Sequence, residues 1–226
     1  MIPSPLAGEG GAPEQVRDRA PGEGGVVPFR LASEMAELQP VASLNDTPRT
    51  DSHRGPILTI VRIAGFDPGL SRTGWGVIEV AGSKLTHVAN GVIVTLASQT
   101  LGVRLAALHQ GICAVLTKHA PDAVAVEQAF VARDPLAALK LGHARAIALL
   151  AAAEAGLTIA EYAPNHIKKS VVGVGHADKN QVQAMVRRLL PAVRFETADA
   201  ADALACAIAH AHLAGTRARI AAALAQ

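Results

Sequence analysis

The sequence predicts a mixed α/β domain, a five-stranded sheet with helices on both faces, behind a long tail of different composition. Three observations carry this: an abrupt change of composition near position 60, three strand-like runs in succession after it, and then alternating helix and strand patterns. The chain has 226 residues, 50% apolar and 18% charged, with a formal net charge of +2. Up to position 60 it holds 7 Gly and 8 Pro, and 5 Lys/Arg against 8 Asp/Glu. The remaining 166 residues hold 13 Gly and 5 Pro, and 16 basic against 11 acidic residues. The near-neutral total therefore hides an acidic tail and a domain of net +5.

Residues 1–57 repeat GEGG at 8–11 and 22–25. Low hydrophobicity with this much Gly and Pro cannot offset the entropy of ordering, so the tail is predicted to be disordered and without function. A start codon assigned too far upstream would account for it, with the true start near position 60; mass spectrometry of the native N-terminus checks that expectation.

The domain is predicted over 58–214. The run 58–66 (LTIVRIAGF) is apolar and β-branched and stops at Asp67-Pro68-Gly69, which reads as a buried strand entering a turn. Runs 74–81 and 84–95 flank Gly82-Ser83 and read as an antiparallel pair. Over 101–120, Leu101, Leu105, Leu108, Ile112, Val115 and Leu116 form a helical stripe. A fourth strand over 122–127, an Ala/Leu-rich helix over 135–155 and a fifth strand over 157–162 follow. Helices near 165–172, 178–190 and 198–214 complete the domain, and 215–226 is a short alanine-rich end. His210 and His212 fall in the last predicted turns, where a cation suits the helix dipole, and Trp75 and Tyr162 sit in strand patterns as core residues. His143 and His166 read as helix-surface residues or phosphate contacts.

The composition excludes several classes. No run of 18 apolar residues occurs, since 146–160 carries Glu154 and Gly156, and the N-terminus lacks a basic segment followed by an apolar one. No membrane span or secretory signal is expected, and the protein reads as cytoplasmic. Cys113 and Cys206 lie far apart without a CxxC pair or a recognised Cys/His ligand spacing, and read as two buried, reduced thiols.

Acids are scarce in the domain, so their placement is informative. Asp67 ends the first strand and Glu127 the fourth; if these strands are neighbours, both carboxylates emerge at one sheet edge, where open α/β sheets place ligands. Asp199 and Asp202, three apart, share a face of the last helix while Leu204 and Ile208 point to the core. Four converging carboxylates repel one another unless cations lie between them. Oxygen ligands without His or Cys suit Mg²⁺ or Mn²⁺, and two such ions about 4 Å apart serve in-line phosphodiester hydrolysis. Taken singly, Asp199 and Asp202 also fit a helix cap, and Asp67 fits turn chemistry; Glu127, closing a buried apolar strand, needs a partner in any case.

The segments FDPGLSRTGWGV (66–77), VEQAF (126–130), ALKLGHARA (138–146), EYAPNHIKKSVVGVGHADKNQV (161–182) and ADAADALACAIAHAH (198–212) together resemble the RuvC-type Holliday junction resolvases, crossover junction endodeoxyribonucleases with an RNase H-like fold. The resemblance runs in order from about Arg62 to Leu213. It implies that Asp67, Glu127, Asp199 and Asp202 are metal-binding catalytic carboxylates, with two Mg²⁺ per subunit and Mn²⁺ as a substitute. It also implies that Lys168 and Lys179 are active-site lysines and that Phe130 stacks on junction bases. The implied enzyme is a homodimer that cuts two opposed strands of a four-way junction, leaving 5′-phosphate and 3′-hydroxyl ends, in recombination and repair alongside the RuvA and RuvB branch-migration proteins. Ala129 and Arg133 after Glu127, and His176 and Asp178 before Lys179, depart from the family pattern and bear on fine sequence preference.

Charge agrees with a polyanionic substrate. Lys168, Lys169, Lys179, Arg187, Arg188 and Arg194 fall between 168 and 194 against one acid, Asp178, a cluster suited to phosphate contacts. Of these, Lys168, Lys169, Lys179 and Arg187, with Arg133 and Phe130, form the expected DNA-contact set; a solvated helix face is the other reading of Arg187 and Arg188. Phe130 in a loop-like segment suits stacking on an unpaired base, or else anchors its loop in the core. Two rival functions remain at this stage. A phosphotransferase of the actin, Hsp70 and sugar-kinase class shares an acid and glycines after a first strand but needs a second domain. A non-catalytic RNase H-like module that binds branched nucleic acid needs none of the four carboxylates.

Overall fold

Alternation along the first strand decides what faces each side of the sheet. The computed structural model describes residues 59–128 and 134–224; the predicted tail 1–57 and the predicted DNA contacts Phe130 and Arg133 lie outside the described residues. In β1 (Ile60–Asp67), Ala64 and Phe66 join the core on one face, while Ile63 joins the core on the other. The period of two assigns Gly65 and Asp67 to the Ile63 face.

β2 (Arg72–Ala81) and β3 (Lys84–Val94) extend β1 as an antiparallel meander, with a one-residue register shift in the β2–β3 ladder where Val88 of β3 falls opposite the Val77–Ile78 step. β4 (Ala123–Glu127) pairs parallel to β1, and β5 (Thr158–Tyr162) parallel to β4. The resulting order β3-β2-β1-β4-β5 is the predicted mixed five-stranded sheet. The predicted fourth strand does neighbour the first.

Helices cover both faces. α1 (Leu101–His119) and α2 (Pro135–Glu154) pack on the Phe66 face, where Leu108, Ile112 and Leu116 meet Val124, Val126 and the α2 stripe Ala144, Ala148, Ala151 and Ala152. α2 begins at Pro135 with Asp134 as a cap, its side chain accepting from the Leu136 N–H. It is long and apolar enough, by length and composition, to cross a bilayer; here its alanine stripe packs against the domain, and Leu136, Leu139 and Leu150 are exposed. α3 (Pro164–Val172), α4 (Lys179–Leu189) and α5 (Ala198–Leu224) cover the Ile63 face.

α5 does not end at 214 as predicted but runs on to Leu224. His210 and His212 are therefore not in its last turn, and the dipole role expected of them lapses. Instead His210 Nδ1 lies 2.9 Å from Tyr162 Oη, and His212 Nδ1 lies 3.0 Å from the Ser170 carbonyl oxygen. Tyr162 is buried as expected, while Trp75 is only half-buried, its ring tilted against His119 at 5.5 Å. Cys206 is fully buried and Cys113 half-buried, so the expectation of two buried thiols holds for one.

Candidate active site

Register and alternation together place the two strand carboxylates. Phe66 is the Cα partner of Val126 in the parallel β1–β4 ladder, so the next residues, Asp67 and Glu127, leave the sheet side by side. Ala125 lies in the core of the Ile63 face and Val126 in that of the Phe66 face, so Glu127, like Asp67, points to the side that α5 covers. The turn after Asp67 is tied down by Thr73, fully buried, whose hydroxyl donates to the Gly69 carbonyl at 2.8 Å and accepts from the Gly69 N–H at 3.1 Å.

The helix carboxylates arrive through close backbone packing. A β-carbon at Gly65 would overlap the Ala203 carbonyl of α5, and one at Gly74 would overlap the Asp199 carbonyl. Only hydrogen at these positions lets α5 settle directly on β1 and β2. Ala200, Ala201, Ala203, Leu204 and Ala207 are fully buried along this contact, while Asp199 and Asp202 keep partial exposure at its end.

Asp67, Glu127 and Asp202 line one open cleft of about 310 Å³ with Lys168 and Lys179, over apolar walls that include Ile167, Val182 and Ala205. Lys168 comes from α3, which starts at Pro164 directly after β5. Lys179 is the first residue of α4, held by a capping box in which the Asp178 side chain accepts from the Gln181 N–H and the Gln181 side chain accepts from the Asp178 N–H. Its Nζ stands 3.7 Å from Asp202 Oδ2. Asp199 does not line the cleft. It turns toward β2, where the Arg72 Nε donates to its Oδ2 at 2.8 Å.

Burial and mutual repulsion raise the proton affinity of these acids. Burial, then the charges of Asp202 and Asp199, push Asp67 up to about 6 against the pull of Lys179. Burial, then Asp67 and Asp202, push Glu127 up to about 8, against Lys168 and Lys179. Asp202 is raised by burial and by Asp199, with Lys179 and Lys168 opposing. Behind the site the Cys206 thiol is pushed up by burial and by Glu127 and Asp67, so it stays protonated. Two lysines do not balance this much buried negative charge; a hard divalent cation does, and the all-oxygen donor set fits one.

Of the sequence-predicted residues, Asp67, Glu127, Asp202, Lys168 and Lys179 are thus brought together, with Asp199 beside them. Lys169 is exposed on α3 outside the cleft lining, and Arg187 is exposed on α4 with its guanidinium 4.4 Å from the Phe195 ring centroid. The sequence reading missed Arg72. Its signal was a lone cation just after the turn that follows Asp67, in a segment already singled out.

The family model described as "Crossover junction endodeoxyribonuclease RuvC" matches residues 63–210. A protein of that name from Parvibaculum lavamentivorans is 62% identical over 160 residues, 71% of this chain and 91% of the relative. Its namesake from Paracoccus denitrificans is 62% identical over 152 residues, 67% and 92% of the two chains. Among solved structures, T. thermophilus RuvC in complex with Holliday junction substrate is similar with a TM-score of 0.66 at 36% identity, covering 70% of this chain and 96% of that one.

Proposed function

This chain belongs to the RuvC family of crossover junction endodeoxyribonucleases, and from that premise we propose that it resolves four-way DNA junctions with Asp67, Glu127, Asp199 and Asp202 as the carboxylates that hold its metal. The observation that carries the reading is the convergence of Asp67, Glu127 and Asp202 with Lys168 and Lys179 in one open cleft. Buried acids that converge with only two lysines to offset them support a cation-dependent hydrolase over a module that merely binds DNA.

Bound Mg²⁺, two ions per subunit, would supply a water activated for attack and neutralise charge on the phosphate in the transition state. The chain's own groups do the rest. Asp67 and Glu127, fixed by adjacent strands, hold their oxygens at a set spacing without reorganising during the reaction. Lys168 and Lys179 draw the phosphodiester to the cleft and offset the excess negative charge as the acids ionise. Apolar Ile167, Val182 and Ala205 keep bulk water from one wall. Mn²⁺, oxygen-seeking in the same way, serves as a substitute.

Two opposed cuts require two sites, so the active species is a homodimer, and the outward side of α2, with exposed Leu136, Leu139 and Leu150, supports an interface there. Phe130 stacks on bases at the junction centre, Arg133, Lys169 and Arg187 contact phosphates, and the RuvA and RuvB proteins deliver the junction. The cytoplasm is the compartment this role requires. The test is a synthetic four-way junction with Mg²⁺: the wild-type chain gives paired, ligatable nicks, and Asp67→Asn binds the junction without cutting it. Cleavage by Asp67→Asn at the wild-type rate would overturn the site assignment.

A further inference from the structure

On the opposite face of the sheet from the carboxylate cleft, the structure places an imidazole, a thiol and a carboxylate together: His109, Cys113 and Glu154. We propose that these three side chains form a transition-metal site of the zinc class, which ties α1 to the end of α2. His109 and Cys113 are one turn apart on α1, so their side chains share a face, a spacing the sequence reading passed over. Glu154 is the last residue of α2, which packs against α1. One ligand atom from each of the three lies within 4.8 Å of the others.

The distances suit a tetrahedral ion. His109 Nε2 is 3.7 Å from Cys113 Sγ, and zinc bonds of about 2.0 to 2.1 Å to nitrogen and about 2.3 Å to sulfur set such ligands about 3.5 Å apart. Glu154 Oε2 is nearer, 2.7 Å from the same nitrogen, but its side chain is 53% exposed and can draw back. A shallow cavity of about 220 Å³ bounded by Cys113, Leu116, Ala151 and Glu154 gives the ion an entry path and room for water as a fourth ligand. Donor chemistry separates this site from the cleft: thiolate and imidazole select Zn²⁺ or Co²⁺, whereas the all-oxygen cleft selects Mg²⁺.

Binding proceeds with a simple proton balance. Cys113 loses its S–H proton to solvent as the sulfur–metal bond forms. His109 Nε2, which faces the Glu154 carboxylate at 2.7 Å, gives up its proton to solvent and the ring keeps or takes one at Nδ1, which frees the Nε2 lone pair for the ion while the Glu154 carboxylate turns from the imidazole to the metal. An ion held this way binds the folded chain and not the unfolded one, so it stabilises the α1–α2 layer.

The test is a Co²⁺ titration of the full chain with Mg²⁺ in excess to occupy the cleft. The expected result is a thiolate-to-cobalt charge-transfer band that saturates at one equivalent, is removed by Zn²⁺, and is accompanied by a higher Tm. Cys113→Ser and His109→Ala lose the band and the Tm gain while keeping Mg²⁺-dependent junction cleavage, and Cys206→Ala keeps the band. Absence of the band in wild-type protein shown to be folded by circular dichroism overturns the site, as does a band that survives in Cys113→Ser.

Discussion

The carbonyl of Asp199 rests against the Cα of Gly74, so closely that any β-carbon at position 74 would overlap it. The seating of Asp199, at the start of α5, thus depends on a hydrogen atom in a neighbouring strand. Gly74→Ala is expected to push the start of α5 away from β2 and to cost about 1 to 3 kcal/mol in stability. Junction cleavage should fall far more than Tm does, because Asp199 and Asp202 shift with the helix. Cleavage assays paired with thermal melts check this; a wild-type cleavage rate would show that the contact does not set the site.

Stability without metal should fall as pH rises. Asp67 and Glu127 have folded-state values raised to about 6 and about 8 from 3.8 and 4.5. The folded chain therefore binds more protons than the unfolded one between about pH 4 and pH 8, and stability is lost across that window. For Asp67 alone the shift corresponds to on the order of 3 kcal/mol. Melts in chelator should show a lower Tm at pH 8 than at pH 5, Mg²⁺ should recover more of it at pH 8, and Glu127→Gln should flatten the dependence.

Lys179 lowers the proton affinity of Asp67, Glu127 and Asp202. Removing its charge in Lys179→Met should raise all three, so the acid limb of the cleavage pH profile should move to higher pH. An unmoved limb with a reduced plateau would instead give Lys179 a role on the DNA alone.

The Arg72–Asp199 pair is partly exposed on both sides, so breaking it should cost less than about 1 kcal/mol. Its larger effect is expected on the site: with Asp199 as one of the proposed metal-holding carboxylates, the guanidinium would compete with the cation for it. Arg72→Gln is expected to lower the Mg²⁺ concentration needed for half-maximal cleavage, read from a metal titration at fixed junction concentration. A higher requirement would mean that Arg72 positions Asp199 for the metal.

Much of this was legible from residues alone because the site sits on regular elements. The run ending at Asp67 and the run ending at Glu127 have strand periodicity, and their shared edge followed once the two strands were taken as neighbours. Asp199 and Asp202 were legible as one helix face. The contact that seats this face was not, since Gly65, Gly74 and Gly76 read from sequence only as glycines in strands, and what they make room for lies more than 120 residues away in the chain. Arg72 was hidden for the same reason: its partner is 127 positions distant. The end of α5 was misplaced because the alanine-rich stretch past 214 carries no glycine or proline stop after Gly215. His109 and Cys113 were one turn apart in plain view, but their third partner becomes visible only when α2 packs on α1.

Where α5 crosses β1 and β2, main chain meets main chain. No side chain stands between the helix and the strands at Gly65 and Gly74, so there is no rotamer there to loosen and no intermediate size to try. A side chain added at either glycine has to displace the helix backbone itself, so main-chain contact alone sets the interval between the strand acids and the helix acids.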